Sequence, residues 1–159
     1  MSPNTALLAA CKNGSLISTT LQSLIGRRAD IFTRNGDNDT TLMLAIKAGS
    51  LTACRALVDH DATIINRTNR EQATYLYALI LATKLNHTAI ARLLIDHDAD
   101  VTNCNQNGDT ALKFAARNND TELAGVLLDR GADINRQAIN KGTALHSAAW
   151  KGNVEMVKL

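Results

Sequence analysis

The sequence has no Cys-x-x-Cys pair, no apolar run long enough to cross a bilayer and no excess of charge of one sign. Each absence excludes a class of protein. Cys11, Cys54 and Cys104 are odd in number and widely spaced, so neither a disulfide framework nor a zinc site is implied, and a reducing, cytoplasmic compartment fits best. The longest apolar stretches, such as residues 76–83, fall well short of the roughly 20 residues a membrane helix needs. Met1 leads directly into Ser2, Pro3 and a helical pattern, with none of the basic-then-apolar order of a secretory signal. Seventeen basic against fifteen acidic residues leave a formal charge of +2, too balanced for nucleic-acid binding to follow from bulk charge. Aromatic residues, 3% of the chain, are too few for the base-stacking platforms of single-strand binders. Glycine-rich phosphate loops are missing too, and no cofactor is implied.

What is present is a repeat. Thr110-Ala-Leu-Lys-Phe-Ala-Ala returns as Thr143-Ala-Leu-His-Ser-Ala-Ala, 33 residues later. Thr40-Thr-Leu-Met-Leu-Ala, Tyr77-Ala-Leu-Ile-Leu-Ala and Thr5-Ala-Leu-Leu-Ala-Ala extend the series towards the N-terminus, so five repeats start near residues 5, 40, 77, 110 and 143, the last cut short. With each Thr (or Tyr77) as position one, position three is Leu7, Leu42, Leu79, Leu112 and Leu145. Position six is Ala10, Ala45, Ala82, Ala115 and Ala148, the small residue that close helix approach demands. Position ten is Gly14, Gly49, Asn86, Asn119 and Gly152, the two residue types that best tolerate a left-handed helix end. The pattern predicts a first helix over positions two to nine. A second amphipathic helix follows, carried by Leu123, Val126 and Leu127 in the fourth repeat and Ile90, Leu93 and Leu94 in the third. Asn35-Gly36 and Asn107-Gly108 then mark hairpin-like turns.

Read this way, the chain closely resembles the ankyrin-repeat family, whose unit runs Thr-Pro-Leu-His-x-Ala-Ala, a two-helix hairpin and Gly-Ala-Asp-Val-Asn. The resemblance covers almost all of residues 1–159 and implies a single all-α solenoid of helix-turn-helix units with β-hairpin-like loops. There are departures. Position two carries Ala6, Thr41, Ala78, Ala111 and Ala144 in place of the family's proline, which predicts softer helix starts. Gly-Ala-Asp survives intact only at Gly131-Ala132-Asp133. Two extra residues are expected near Ser18 to Thr20, and a protruding or bent finger around residues 66–74.

Candidate chemistry is weak. Asp96-His-Asp-Ala-Asp offers hard-cation ligands, but His60 and His97 share a repeat position that Arg130 fills in the fourth repeat, which marks a surface variant. A calcium loop would want glycine and a carboxylate where Val101 and Asn107 stand. Cys11 and Cys54 fall at core positions, and no base and orienting acid mark a nucleophile. His146 stands where the resemblance gives histidine a turn-bonding role. No catalytic, metal or cofactor residue is expected.

A protein partner is the better expectation. The resemblance implies that fingers and inner helices line a concave surface that holds other proteins. At about 100° per residue, positions three, six, seven and ten share one apolar arc, so positions five and eight should face away from it. Position eight is Lys12, Lys47, Lys84, Arg117 and Trp150; position five includes Leu44, Leu81 and Phe114. A basic ladder beside an exposed apolar row, with Arg34, Arg67, Arg70, Arg136 and Lys141 on the fingers, should favour an acidic protein segment with apolar anchors. The partner-facing set is thus Leu44, Lys47, Leu81, Lys84, Phe114, Arg117, Trp150, Lys12, Arg34 and Arg70. No membrane and no nucleic acid is expected as partner. The alternative is a targeting module of a larger enzyme or of a bacterial effector working in host cytosol. It draws on the second helix of the fifth repeat, which breaks off at Val154, Met156, Val157 and Leu159 as if the chain were the N-terminal part of a longer one.

Overall fold

The computed structural model describes residues 1–66 and 78–159; the long second finger and its Arg67 and Arg70 lie outside them. Two compact units result, Met1–Arg67 and Thr68–Leu159. In the first, α1 (Pro3–Lys12) and α3 (Thr41–Lys47) pack side by side as inner helices, backed by α2 (Ser18–Gly26) and α4 (Leu51–His60). In the second, the inner helices α5 (Ala78–Lys84), α7 (Ala111–Asn118) and α9 (Ala144–Lys151) stack in order, with α6 (Thr88–Asp96), α8 (Thr121–Asp129) and α10 (Val154–Lys158) as the outer row. Apart from two isolated antiparallel bridges, Arg34 with Thr40 and Cys104 with Thr110, the described residues are helix, turn and loop.

The repeat threonine caps three of the inner helices, whereas α1 starts at Pro3, three residues ahead of position two, with Ser2 as its N-cap. Thr40, Thr110 and Thr143 are N-caps whose hydroxyls accept from the backbone N–H of Met43 (3.1 Å), Lys113 (3.2 Å) and His146 (3.4 Å). Each bond satisfies one of the donors a helix start leaves open, so these starts are held without a proline at position two. His146 adds the reciprocal bond of a capping box, its Nδ1 accepting from the Thr143 backbone N–H. That is the turn-bonding role expected for it.

Position ten stops every inner helix. Gly14, Gly49, Asn86, Asn119 and Gly152 all have φ between 60° and 70°. Immediately after it, the N–H of position eleven returns to the position-six carbonyl: Ser15 to Ala10, Ser50 to Ala45, His87 to Ala82, Asp120 to Ala115 and Asn153 to Ala148, at 2.9–3.1 Å. This six-to-one bond ends the helix and turns the chain back for the outer helix. The two extra residues of the first repeat sit in the turn before Ser18, between α1 and α2, rather than within Ser18 to Thr20. A turn absorbs them at low cost, whereas a helix would lose its facing.

Alanine at position six permits close stacking: Ala45, Ala82, Ala115 and Ala148 are wholly buried. Side-chain bonds to backbone then join neighbouring repeats. Ser50 Oγ donates to the Gly14 carbonyl (3.0 Å), Asn118 Nδ2 to that of Thr83 (2.8 Å) and Asn153 Nδ2 to that of Ala116 (2.7 Å). On the outer row Thr88 Oγ1 meets Asp120 Oδ2 at 2.5 Å, and Arg92 pairs with Glu122.

The fingers depart from the expected two-residue Asn-Gly hairpins. Their turns have four residues, Asn35–Asn38, Asn105–Gly108 and Ala138–Lys141, and the left-handed residue is the fourth, Asn38, Gly108 or Lys141. Asn35 Oδ1 accepts from the N–H of Asp37 and Asp39, and Asn105 Oδ1 likewise from Asn107 and Asp109. These side-chain bonds shape the turn, so Gly36 sits at its second residue without a positive φ. Gly108 differs, with φ +76° and the Ala138 Cα only 2.9 Å from where a Cβ would stand. Gly108→Ala is therefore expected to lower unfolding free energy by about 2 kcal/mol. Gly36→Ala, with nothing within 4 Å, should change it by under about 0.5 kcal/mol. Urea titration of both variants tests this, and equal effects would refute the turn assignment.

Candidate functional site

Position eight is exposed in all five repeats: Lys12, Lys47, Lys84, Arg117 and Trp150, the last 88% accessible. Position five is not. Leu44, Leu81 and Phe114 are buried at 5%, 4% and 6%, so the expected exposed apolar row beside the cations does not exist. The single-arc picture suits a helix packed on one side. Here each inner helix meets a neighbouring inner helix and its own outer helix. In α3 and α5 every residue from position two to position seven is buried, and only a narrow edge around position eight reaches solvent. Leu145 of the fifth repeat, at the core position three, is 53% exposed, on α9 beside a small apolar cavity that Leu112 and Met156 also line.

The charges along this edge are not equivalent. Asp109, just before the N-cap Thr110, and Lys113 and Arg117 on α7 follow one another at spacings of four. Lys113 Nζ meets Asp109 Oδ1 at 2.6 Å, both side chains largely covered. Arg117 meets no carboxylate among the described residues; its Cζ lies 5.7 Å from the centre of the Phe114 ring, a cation–π arrangement. The corresponding residues of the second repeat are Asp39, just before the N-cap Thr40, and Met43 and Lys47 on α3. With apolar Met43 between them, Lys47 Nζ reaches back to both oxygens of Asp39 at 2.7 Å. Lys84 on α5 carries no ion pair among the described residues and is preceded in sequence by the uncharged Leu76 and Tyr77.

The finger residues divide in the same way. Arg34 is half-buried and donates from Nη1 to the Asn38 carbonyl at 3.1 Å, which ties it into its own turn. Arg136 is exposed, with Nη2 3.4 Å from Cys104 Sγ, and Lys141 is exposed at the end of the last finger turn. Arg70 lies outside the described residues. The sequence reading missed Ile139, 76% exposed at the tip of that turn. Aligning the fingers would have found it, because the positions 33 and 103 residues earlier are Gln106 and Gly36, also exposed tips.

The thiols belong to the core. Cys11 and Cys54 are fully buried and free, and burial pushes both up to about 12 from an ordinary 9.0. Their ionised form is disfavoured in the folded state, the reverse of what a nucleophile needs. Unfolded thiols begin to ionise near pH 9 while the folded ones stay protonated. Stability is thus retained below that pH and should fall as pH rises towards 12. At pH 8 a thiol-specific disulfide reagent is expected to label half-buried Cys104 in the native protein, and Cys11 and Cys54 only in denaturant. Native labelling of either at the Cys104 rate would contradict their burial.

No helix of the described residues is long and apolar enough to cross a membrane. Family models described as ankyrin repeats in three copies match residues 6–103 and 64–138, and one described as ankyrin repeats in many copies matches residues 118–159. No curated protein matches the chain.

Proposed function

Since the chain belongs to the ankyrin-repeat family, whose repeats are generally protein–protein interaction modules, we propose that it is a non-catalytic scaffold or adaptor that holds an acidic segment of another protein. The three free thiols suit work in a reducing, cytoplasmic compartment.

One observation carries the reading. On the three stacked inner helices of the second compact unit, the same position presents Lys84, Arg117 and Trp150 to solvent. Neither cation meets a carboxylate among the described residues. Stacked helices stand roughly 8–10 Å apart, a spacing at which carboxylates along one extended segment can meet successive cations. With Leu44, Leu81 and Phe114 buried, the apolar anchor of this face is Trp150, and aromatic and arginine side chains dominate binding energy in interfaces. Lys12 and Lys47 occupy the equivalent edge of the first compact unit, where Lys47 is already committed to Asp39.

Trp150 is the only tryptophan, so its fluorescence reports on the face directly. Titration with a tryptophan-free peptide of glutamate and leucine should shift its emission to the blue. K84E/R117E should weaken that peptide at least about tenfold at unchanged melting temperature, because charge reversal at an interface costs affinity and neither residue supports the fold through an ion pair. Unchanged affinity in K84E/R117E would place the partner elsewhere.

A further inference from the structure

The two acids at the base of the fingers, Asp39 and Asp109, stand at the same repeat position, each held by an asparagine four residues before it. Each stands eight residues before the position-eight cation of the helix that follows it, and each would cancel that cation's charge if the cation reached it. On α3 it does: Lys47 Nζ stands 2.7 Å from both oxygens of Asp39. On α7 it does not, because Lys113 at position four occupies the Asp109 carboxylate at 2.6 Å. The residue that decides between the two outcomes is at position four, Met43 in one case and Lys113 in the other. We infer that Lys113 determines the specificity of the binding face on the second compact unit: by satisfying Asp109 it leaves Arg117 available to the carboxylates of an acidic partner. This deepens, and rests on, the acidic-partner reading.

The physics is local. A cation and a carboxylate near the protein surface attract one another within a Debye length of about 10 Å at 0.1 M salt. Arg117 has a side chain at least as long as that of Lys47 and shares its place on the helix, so an unoccupied Asp109 is within its reach. Lys113 competes from four residues nearer, and its ammonium is largely covered by its surroundings, with the Gly142 backbone close by. Arg117 is then held over the Phe114 ring instead, its guanidinium still open to solvent. Lys113 itself is spent on Asp109. Its contribution to the partner is indirect, through the charge it removes and the charge it leaves free.

Two measurements on the whole chain separate this role from a direct contact. In the NMR spectrum, D109N should leave the Arg117 Nε–H signal in place in the natural background and move it in the K113M background, where Arg117 has turned to Asp109. The glutamate–leucine peptide, followed at Trp150, should bind K113M about three- to fivefold more weakly, the scale of one exposed ion pair. It should regain its natural affinity in K113M/D109N, where no carboxylate remains to capture Arg117. An Arg117 signal indifferent to D109N in the K113M background would overturn the inference. So would a double variant as weak as K113M, which would make Lys113 a direct contact. If the natural chain ignores the peptide, the acidic-partner reading fails, and the NMR comparison still decides whether Lys113 shields Asp109.

Discussion

At the end of every inner helix the backbone must pass through a left-handed residue, and the rest of the architecture depends on that reversal. A right-handed residue there would carry the helix onward and leave no outer helix to cover it. Glycine accepts the conformation because it has no Cβ, and asparagine tolerates it better than other side chains do. The bond from position eleven to the alanine carbonyl at position six fixes the turn in all five repeats. That same alanine is wholly buried in the second to fifth repeats, where its small size lets the inner helices stack closely. Reversal and stacking therefore meet at one residue, and a larger side chain at position six would disturb both.

Stacking in turn decides which side chains can act. An inner helix enclosed by its outer helix and by an adjacent inner helix has one free edge, and position eight occupies it. The thiols at Cys11 and Cys54, by contrast, are held protonated and out of reach. The proposed acidic segment would touch that edge on several inner helices of the second unit in turn.

Within that edge, charge depends on pairing more than on count. Lys47 and Arg117 look alike in the sequence, yet one is bound to a carboxylate at 2.7 Å and the other lies over an aromatic ring. The difference traces to a position that neither residue occupies. Arg34 shows the same principle on a finger, where its charge supports its own turn.

The sequence by itself determined the repeat, its register, the helix spans other than the early start of α1 at Pro3, the left-handed stops and the core positions of Cys11 and Cys54. These follow from local rules: the 33-residue recurrence, helical periodicity and the conformational freedom of glycine and asparagine act over a few neighbouring residues. Position eight was legible as an edge for the same reason. Only the tertiary structure decided that Leu44, Leu81 and Phe114 are buried, that Leu145 is open and that the finger turns have four residues. It also decided which cations are already spent. Burial and ion pairing depend on what stands on the other sides of a helix, and a single helix's periodicity carries no information about neighbours that the fold brings to it.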